Sequence, residues 1–287
     1  MIAKAGLGDG DISATADRIR AAGAAPGATQ WVERGEAFDV AFTGDRAAVR
    51  AALEAAAGAW DVVVQPAAGR AKRLLISDMD STMITVECID ELADYAGIKA
   101  EVAAVTERAM RGELDFEAAL DSRVALLRDL DASVIARCHA ERVRITPGAR
   151  ALVQTMRAHG ARTLLVSGGF TLFADRVAAE IGFDRALANT LDVADGKLAG
   201  TVARPIVGAA AKRAALIEEA AALGIGLDAT LAVGDGANDI AMIEAAGLGV
   251  AYHAKPRAAA AADARIDRSD LSALLYAQGY AREAWVA

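Results

Sequence analysis

The sequence contains little cysteine, proline, histidine or aromatic residue. Its 287 residues include two cysteines, five prolines and three histidines, and aromatic side chains make up 5%. Two cysteines are too few for a disulfide-stabilised secreted domain, so we expect Cys88 and Cys138 to be reduced thiols. The histidines, His139, His159 and His253, lack the spacing typical of a zinc site.

Long apolar stretches and runs of basic residues are also missing. No segment approaches the roughly 20 apolar residues that a membrane span requires. The first residues, which include Asp9 and Asp11, do not form the apolar core of a signal peptide. With 31 Lys and Arg against 39 Asp and Glu, the formal net charge is −8, and such a surface repels nucleic-acid phosphates and anionic lipids. We therefore expect a cytoplasmic protein without nucleic-acid or membrane partners.

Apolar residues, by contrast, are plentiful at 54%, enough for a sizeable core. Residues 1–66 show the order strand-helix-strand-strand-helix-strand, with a first strand near Ile2–Leu7 and a last one over Trp60–Val64. That order predicts a small α+β ferredoxin-like domain. Residues 67–70 have the composition of a linker.

From residue 73 to residue 287 the pattern changes to alternating strands and helices. The strands are almost wholly apolar, which is typical of an α/β doubly wound parallel sheet covered on both faces. The predicted strands are Leu74–Ser77, Thr163–Val166, Leu231–Val233 and Gly249–Tyr252.

Two insertions interrupt this second domain. The first, residues 84–142, is long, charged and helical, and is too large for an ordinary loop, so we interpret it as a cap. The second, Leu191–Val202, contains the dipeptide Asp195-Gly196, which is typical of a tight hairpin turn.

Polar residues follow three of the predicted strands. Ligands bind outside the carboxyl ends of the strands in a parallel sheet, so these segments should form one site. Asp78 and Asp80 are the most informative, because a carboxylate directly after a buried strand is costly unless it is paired or bound to metal. The three segments are 77–82, 167–170 and 234–239.

These residue types indicate metal-assisted phosphoryl transfer. Mg²⁺ would allow several carboxylates to share one point, since it prefers oxygen ligands. Asp78 could attack phosphorus, and Asp80 could protonate the leaving oxygen and later activate water. Ser167 and the backbone N–H groups after it could hold phosphate at a strand-to-helix turn. Lys212, at the start of a predicted helix, would supply the cation that the site needs.

In this order the motifs resemble those of the haloacid dehalogenase superfamily of phosphatases, and most closely its phosphoserine branch. The resemblance extends over about residues 74–275 and includes the cap segment 110–117. The segments that carry it are Asp78-Met79-Asp80-Ser81-Thr82, Ser167-Gly168-Gly169-Phe170, Lys212 and Gly234-Asp235-Gly236-Ala237-Asn238-Asp239.

The resemblance implies an aspartyl-phosphate intermediate on Asp78 and acid–base catalysis by Asp80. It implies Mg²⁺ as cofactor, bound by the Asp78 side chain, the Asp80 backbone carbonyl and Asp235. Asn238 and Asp239 would orient the metal and its waters, or Lys212. Ser167, Gly168 and Lys212 would bind phosphate, and Asn238 is also expected to be a substrate-binding residue.

The cap would select the substrate. By the resemblance, Glu87 binds the amino group of phosphoserine and Arg123 binds its carboxylate in a bidentate pairing suited to guanidinium. Met110 and Phe116 would shield the substrate. The implied activity is hydrolysis of O-phospho-L-serine, the last step of serine biosynthesis.

Three alternatives stay open at this point. The enzyme could act on another small phosphate monoester, or transfer the phosphoryl group to an alcohol such as homoserine. The chain could instead be a silent amino-acid-binding regulator, although intact Asp78, Asp80, Lys212 and Asp235 argue against this. Residues 1–66 resemble ACT-like regulatory modules by pattern only. We expect them to pack against the rest of the protein or to form a homodimer interface, in preference to a serine-sensing role.

Overall fold

A computed structural model describes residues 1–4, 6–110 and 113–286, without the side chains of residues 109 and 110. The first 70 residues form an antiparallel hairpin with two helices beside it. Within the described residues, no helix is both long and apolar enough to cross a bilayer. The elements of this part are α1 (Asp9–Ala21), β1 (Ala25–Glu33), β2 (Ala37–Thr43) and α2 (Arg46–Ala55).

The outer strands predicted for this part are reduced to single bridges. Ile2 bridges both Ala37 and Asp61, and Val62 bridges Arg265 of the second part. Gly6, with φ +90°, turns the chain away soon after Ile2. The antiparallel α+β organisation is therefore confirmed, but strands over Ile2–Leu7 and Trp60–Val64 are wrong in extent.

The second part contains the predicted parallel sheet, helices and short hairpin, and the sheet has six strands where the sequence names four. Helices α3 to α6 form the expected cap, and β6 and β7 form the expected hairpin. The elements, in chain order, are β3 (Leu74–Ser77), α3 (Cys88–Tyr95), α4 (Lys99–Met110), α5 (Phe116–Ala125), α6 (Ser133–Arg142), α7 (Ala149–Ala158), β4 (Arg162–Phe170), α8 (Thr171–Ile181), β5 (Arg185–Asn189), β6 (Leu191–Ala194), β7 (Lys197–Val202), α9 (Ala209–Ala222), β8 (Thr230–Gly234), α10 (Ile240–Ala245), β9 (Leu248–Tyr252), α11 (Pro256–Ala261), β10 (Ala264–Ile266) and α12 (Ala273–Gln278), with 3₁₀ turns at Leu227–Ala229, Ala237–Asp239 and Arg282–Ala284.

The sheet has the order β10-β9-β8-β3-β4-β5. From β3 the chain proceeds through β4 to β5 on one side and then returns to β8 on the other. The order thus reverses between β3 and β8, and ligands bind in the crevice at such a switch point. Asp78, after β3, and Asp235, after β8, lie on the two sides of it.

Both faces of β3 are covered, which explains its continuous apolar sequence. Leu75 belongs to the large core, whereas Leu74 and Ile76 pack in a second cluster with Leu216 of α9 and Met242 of α10. Burying each such side chain contributes roughly 1.5–3 kcal/mol. The rigid central strand fixes where Asp78 leaves the sheet.

Candidate active site

Asp78 lies at the centre of the site. Its side chain follows β3 directly, and the residue is 4% exposed. Oδ1 accepts a hydrogen bond from the Met79 N–H at 2.8 Å and lies 2.6 Å from Lys212 Nζ. No hydrogen bond or ion pair reaches Oδ2 from the part of the chain that the structure describes. The arrangement thus orients the carboxylate through one oxygen, and the predicted role of Asp78 as nucleophile stays a prediction.

Lys212 supplies a buried positive charge. It lies in the first turn of α9 with no exposed surface, and its Nζ is 2.6 Å from both Asp78 Oδ1 and Asp239 Oδ1. Burial lowers the pKa of Lys212, but the two carboxylates raise it more, so that it lies above its ordinary value. The ammonium group therefore stays protonated at neutral pH. Lys212 thus lies at the edge of the sheet where the sequence predicts it, beside Asp78. Its binding of phosphate stays a prediction.

Asp239 organises the turn after β8. Its Oδ1 binds Lys212, and its Oδ2 accepts hydrogen bonds from the N–H groups of Asp235 at 3.1 Å and Gly236 at 3.0 Å. Both oxygens of this fully buried carboxylate are thus engaged. The side chain therefore connects Lys212 to the turn after β8, and the orienting role implied by the resemblance stays a prediction.

Three carboxylates form a candidate metal centre. Asp78, Asp235 and Asp239 each offer an oxygen, and these oxygens lie within 4.8 Å of one another. Burial and the charge of Asp239 raise the pKa of Asp78, against the effect of Lys212. Burial also raises the pKa of Asp235, although Lys255 at 3.2 Å opposes it. A cluster of carboxylate oxygens under this mutual repulsion fits a hard divalent cation.

Asp80, which the sequence predicts as the acid–base residue, has a carboxyl group with an unusual pKa. Burial, followed by the negative charge of Glu87, raises the pKa of Asp80 to about 7, while hydrogen bonds from Cys88 oppose the shift. Its Oδ1 is buried without a hydrogen-bond partner. A Cβ built on Gly169 would lie only 3.2 Å from Asp80 Oδ2. This carboxyl group therefore lies against the turn predicted to bind phosphate.

That turn belongs to the end of β4. Strand pairing continues to Phe170, past the end predicted at Val166, but its register shifts between Val166 and Phe170. Ser167 is 1% exposed, and its Oγ accepts a hydrogen bond from the Gly169 N–H at 2.8 Å. The irregularity leaves Ser167 and Gly168 between the sheet and the cap.

The cap covers the turn through Phe116. A Cβ on Gly168 would lie 3.3 Å from Phe116 Cζ, and one on Gly208 would lie 3.2 Å from Phe116 Cδ1. The ring therefore lies against backbone at both positions, and its shielding of the substrate stays a prediction. Met110 was assigned the same role, but its side chain lies outside the described residues.

Two charged residues predicted to bind the substrate also come from the cap. Glu87 precedes α3 and accepts a hydrogen bond from Ser81 Oγ at 2.7 Å. Arg123 lies on α5, where burial lowers its pKa and the negative charges of Asp90 and Glu87 oppose that shift. Both side chains are half-buried, so each combines a formal charge with partial shielding from water. Asn238, predicted as a substrate-binding residue, is half-buried in the turn after β8.

Three residues of this region have no role assigned from the sequence. Lys255 pairs with Asp235, and Ser81 binds Glu87. Asn189 is fully buried at the end of β5 and bonds to Gly168 and Val207. The sequence does not predict β5, so Asn189 is not among the strand-end residues that it indicates, whereas Lys255 lies just after the predicted strand Gly249–Tyr252.

Comparison with known proteins agrees with this geometry. The haloacid dehalogenase-like hydrolase family model matches residues 75–244. A phosphoserine phosphatase of Streptomyces coelicolor is 50% identical over 235 residues, covering 81% of this chain and 57% of that protein. A phosphoserine phosphatase of Polaromonas sp. is 47% identical over 208 residues, covering 71% of this chain and 88% of that protein.

Solved structures support the fold over nearly the whole chain. A haloacid dehalogenase family hydrolase from Salmonella enterica superposes with a TM-score of 0.82 at 28% identity, covering 95% of this chain and 96% of the other. The present chain spans little more than half of the Streptomyces relative but most of the Polaromonas one. From the matched motifs, the parallel sheet and the acidic cluster at its switch point, we conclude that the chain belongs to the haloacid dehalogenase-like hydrolase family.

Proposed function

We propose that this chain is a phosphoserine phosphatase, which hydrolyses O-phospho-L-serine to L-serine and phosphate. One arrangement carries the proposal: a buried Asp78 bound to Lys212, beneath a cap that presents both an acid and an arginine. Glu87 suits the ammonium group of an amino-acid phosphate and Arg123 suits its carboxylate. Phosphatase relatives close to half identical over most of the chain support the same assignment.

In the first step, an Asp78 oxygen attacks phosphorus and the bond from phosphorus to the serine oxygen breaks. Asp80 gives its proton to that oxygen, since a carboxyl group with a pKa of about 7 is partly protonated at neutral pH. Lys212 and the turn at Ser167 and Gly168 would stabilise the charge on the phosphoryl oxygens. Serine leaves, and the phosphoryl group stays on Asp78.

In the second step, water attacks the aspartyl phosphate. Asp80, now ionised, takes a proton from the water, and the bond between phosphorus and the Asp78 oxygen breaks. Phosphate and free Asp78 result, and Asp80 is again protonated. Phe116, packed against the backbone of Gly168, would limit the entry of other acceptors.

We propose Mg²⁺ as the cation of the carboxylate cluster. Asp78 and Asp235 are suited to bind it, whereas Asp239 is already engaged by Lys212 and two N–H groups. When bound, Mg²⁺ would neutralise negative charge on the phosphoryl group. The free, buried thiols of Cys88 and Cys138 support a reducing, cytoplasmic setting, and a homodimer remains a further proposal.

Phosphate release from phosphoserine tests the assignment. We expect turnover with Mg²⁺, none with excess chelator, and none for D78N, because an amide cannot act as the nucleophile. The matched control is D9N, which should keep the parent activity. Asp9 and Asp11 have the same spacing in the sequence as Asp78 and Asp80, but Asp9 is exposed.

The products separate the alternatives. Free phosphate in equal amount to serine, with or without added homoserine, supports hydrolysis. Phosphohomoserine formation would identify a transferase, and substantial turnover by D78N would remove Asp78 from its role.

A further inference from the structure

The site has two backbone walls, and they come from distant parts of the chain. One is the turn at Ser167 and Gly168, at the end of β4. The other is the segment 207–208 that leads into α9, the helix of Lys212. Phe116 lies against both walls, near Gly168 on one and Gly208 on the other. The distance between these two segments therefore affects three positions together: that of the phosphate turn, that of Lys212 and that of Phe116 in the cap.

Asn189 joins these walls through its side-chain amide. Nδ2 donates to the carbonyl oxygens of Gly168 at 2.9 Å and of Val207 at 3.3 Å. Oδ1 accepts from the Val207 N–H at 2.8 Å. Both N–H donors and the acceptor of one amide are thus used, and the residue is 1% exposed.

The link extends from Asn189 to the chemistry. Gly208 caps α9, and its carbonyl accepts from the backbone N–H of Lys212 at 3.0 Å. The Lys212 ammonium then binds Asp78. Displacing the Val207 wall would shift the start of α9 and with it the lysine.

We propose that Asn189 is a positioning residue that holds the phosphate turn and the start of α9 at the distance required for binding phosphate. The inference rests on the proposed phosphatase function of the site. Asn189 touches neither the reacting atoms nor the carboxylate cluster among the residues that the structure describes, and it acts through Gly168, Val207 and Lys212. Its loss should therefore weaken phosphate binding more than metal binding.

The isosteric variant N189D is the most direct test. It keeps an acceptor for the Val207 N–H but places a carboxylate oxygen against two carbonyl oxygens, which repel it. The probe is inorganic phosphate, whose dissociation constant is measured by calorimetry in Mg²⁺, with the Mg²⁺ dissociation constant measured separately. We expect phosphate binding at least about tenfold weaker, corresponding to roughly 1.4 kcal/mol, and Mg²⁺ binding within about twofold.

A matched control comes from the opposite end of the same strand pair. Thr163 Oγ1 hydrogen-bonds Asp184 between β4 and β5, far from the phosphate turn. T163V should reduce thermal stability but leave phosphate binding unchanged. N189S, which keeps a smaller donor, serves if N189D does not fold, and it should give an intermediate loss of phosphate affinity.

The readouts distinguish positioning from general stability. A rise in KM and in the inhibition constant of phosphate for N189D or N189S, but not for T163V, supports the proposal. Phosphate affinity within twofold of the parent in a folded Asn189 variant overturns it. Because inorganic phosphate is the probe, the result stands even if phosphoserine proves not to be the substrate. A parent protein that binds no phosphate overturns both proposals.

Discussion

Asp80 shows how neighbouring groups tune a single carboxyl. Burial raises its pKa most, and the charge of Glu87 adds to the shift, so that the value reaches about 7. Glu87 therefore has two effects in the proposed mechanism. It attracts the ammonium group of the substrate, and it keeps Asp80 partly protonated at neutral pH.

E87Q should move the pH dependence of serine release to lower pH. Removing a like charge lowers the pKa of Asp80, so the protonated fraction falls at a lower pH than in the parent. We expect the alkaline limb of the single-turnover rate to shift downward by roughly 0.5–1 pH unit. The measurement is serine release in one turnover at saturating phosphoserine.

The matched control for this shift is E91Q. Glu91 lies on the same helix α3 but pairs with Arg142 on the cap surface, so its variant should keep the parent profile. An unchanged or upward-shifted limb for E87Q would show that Glu87 does not set the pKa of Asp80.

Residue types alone revealed much of the centre of the site. Asp78 and Asp80 attract attention because they follow a wholly apolar strand, where carboxylates are costly. Asn189 gives no such signal, because an asparagine after a short strand is common in turns. Its three bonds exist only once Gly168 and Val207 are brought together by the fold.

At the scale of elements, helix α5 couples the cap to the site. Asp115 caps its start by accepting from the Ala118 N–H at 2.8 Å, which places Phe116 in the first turn. Arg123 lies two turns further on. Arg204, an exposed residue between β7 and α9, pairs with Asp121 at 2.5 Å on the same helix. One helix thus carries both the ring proposed to shield the substrate and the arginine proposed to bind its carboxylate.

R123A should remove selectivity for the substrate carboxylate. Phosphoserine and phosphoethanolamine share the phosphate and the amino group, but only phosphoserine has a carboxylate. A charge-assisted hydrogen bond contributes about 1.5–3 kcal/mol, so we expect kcat/KM for phosphoserine to fall by roughly 10–100-fold. The value for phosphoethanolamine should change by less than about threefold.

The comparison variant is R137A, since Arg137 is an exposed cap residue over the ring of Tyr95. Steady-state kinetics on both substrates give the ratio for each protein. If R123A loses activity equally on both compounds, Arg123 supports the cap without recognising the carboxylate.

For the whole molecule, the decisive contact is that between the two parts of the chain. The Asp61 carboxylate is 4% exposed and accepts hydrogen bonds from the N–H groups of Asp267, Arg268 and Ser269, at 2.8–3.1 Å. Tyr276 adds a bond from its hydroxyl to Glu36 at 2.9 Å. Residues 1–66, which we propose as a separate domain, are therefore closely docked.

D61A should destabilise the protein without altering its chemistry. Three N–H groups would lose their acceptor, and that of Ser269 is buried, so we expect a cost of about 3 kcal/mol in the free energy of unfolding. Urea denaturation measures the loss, and kcat for phosphoserine should stay within about twofold at 25 °C.

D17A is the control for this measurement, because Asp17 lies in an exposed ion pair with Arg20 and such pairs contribute little. A D61A protein as stable as D17A would mean that the two parts are held together by other contacts.

The sequence by itself determined the parallel sheet, the cap, the hairpin and the acidic strand ends. Each depends on local patterns: apolar runs, a turn dipeptide such as Asp195-Gly196, and charged residues directly after a strand. These features could be predicted because each depends only on residues that are close together in the sequence.

The tertiary structure alone decided which distant groups meet. It placed Lys212 between Asp78 and Asp239, joined Gly168 to Val207 through Asn189, and reduced the outer strands near Ile2 and Val62 to bridges. Such contacts depend on the order of strands in the sheet and on which strand edges remain unpaired. Val62, for example, pairs with Arg265 because β10 offers it a free edge, and no local pattern around Val62 contains that information.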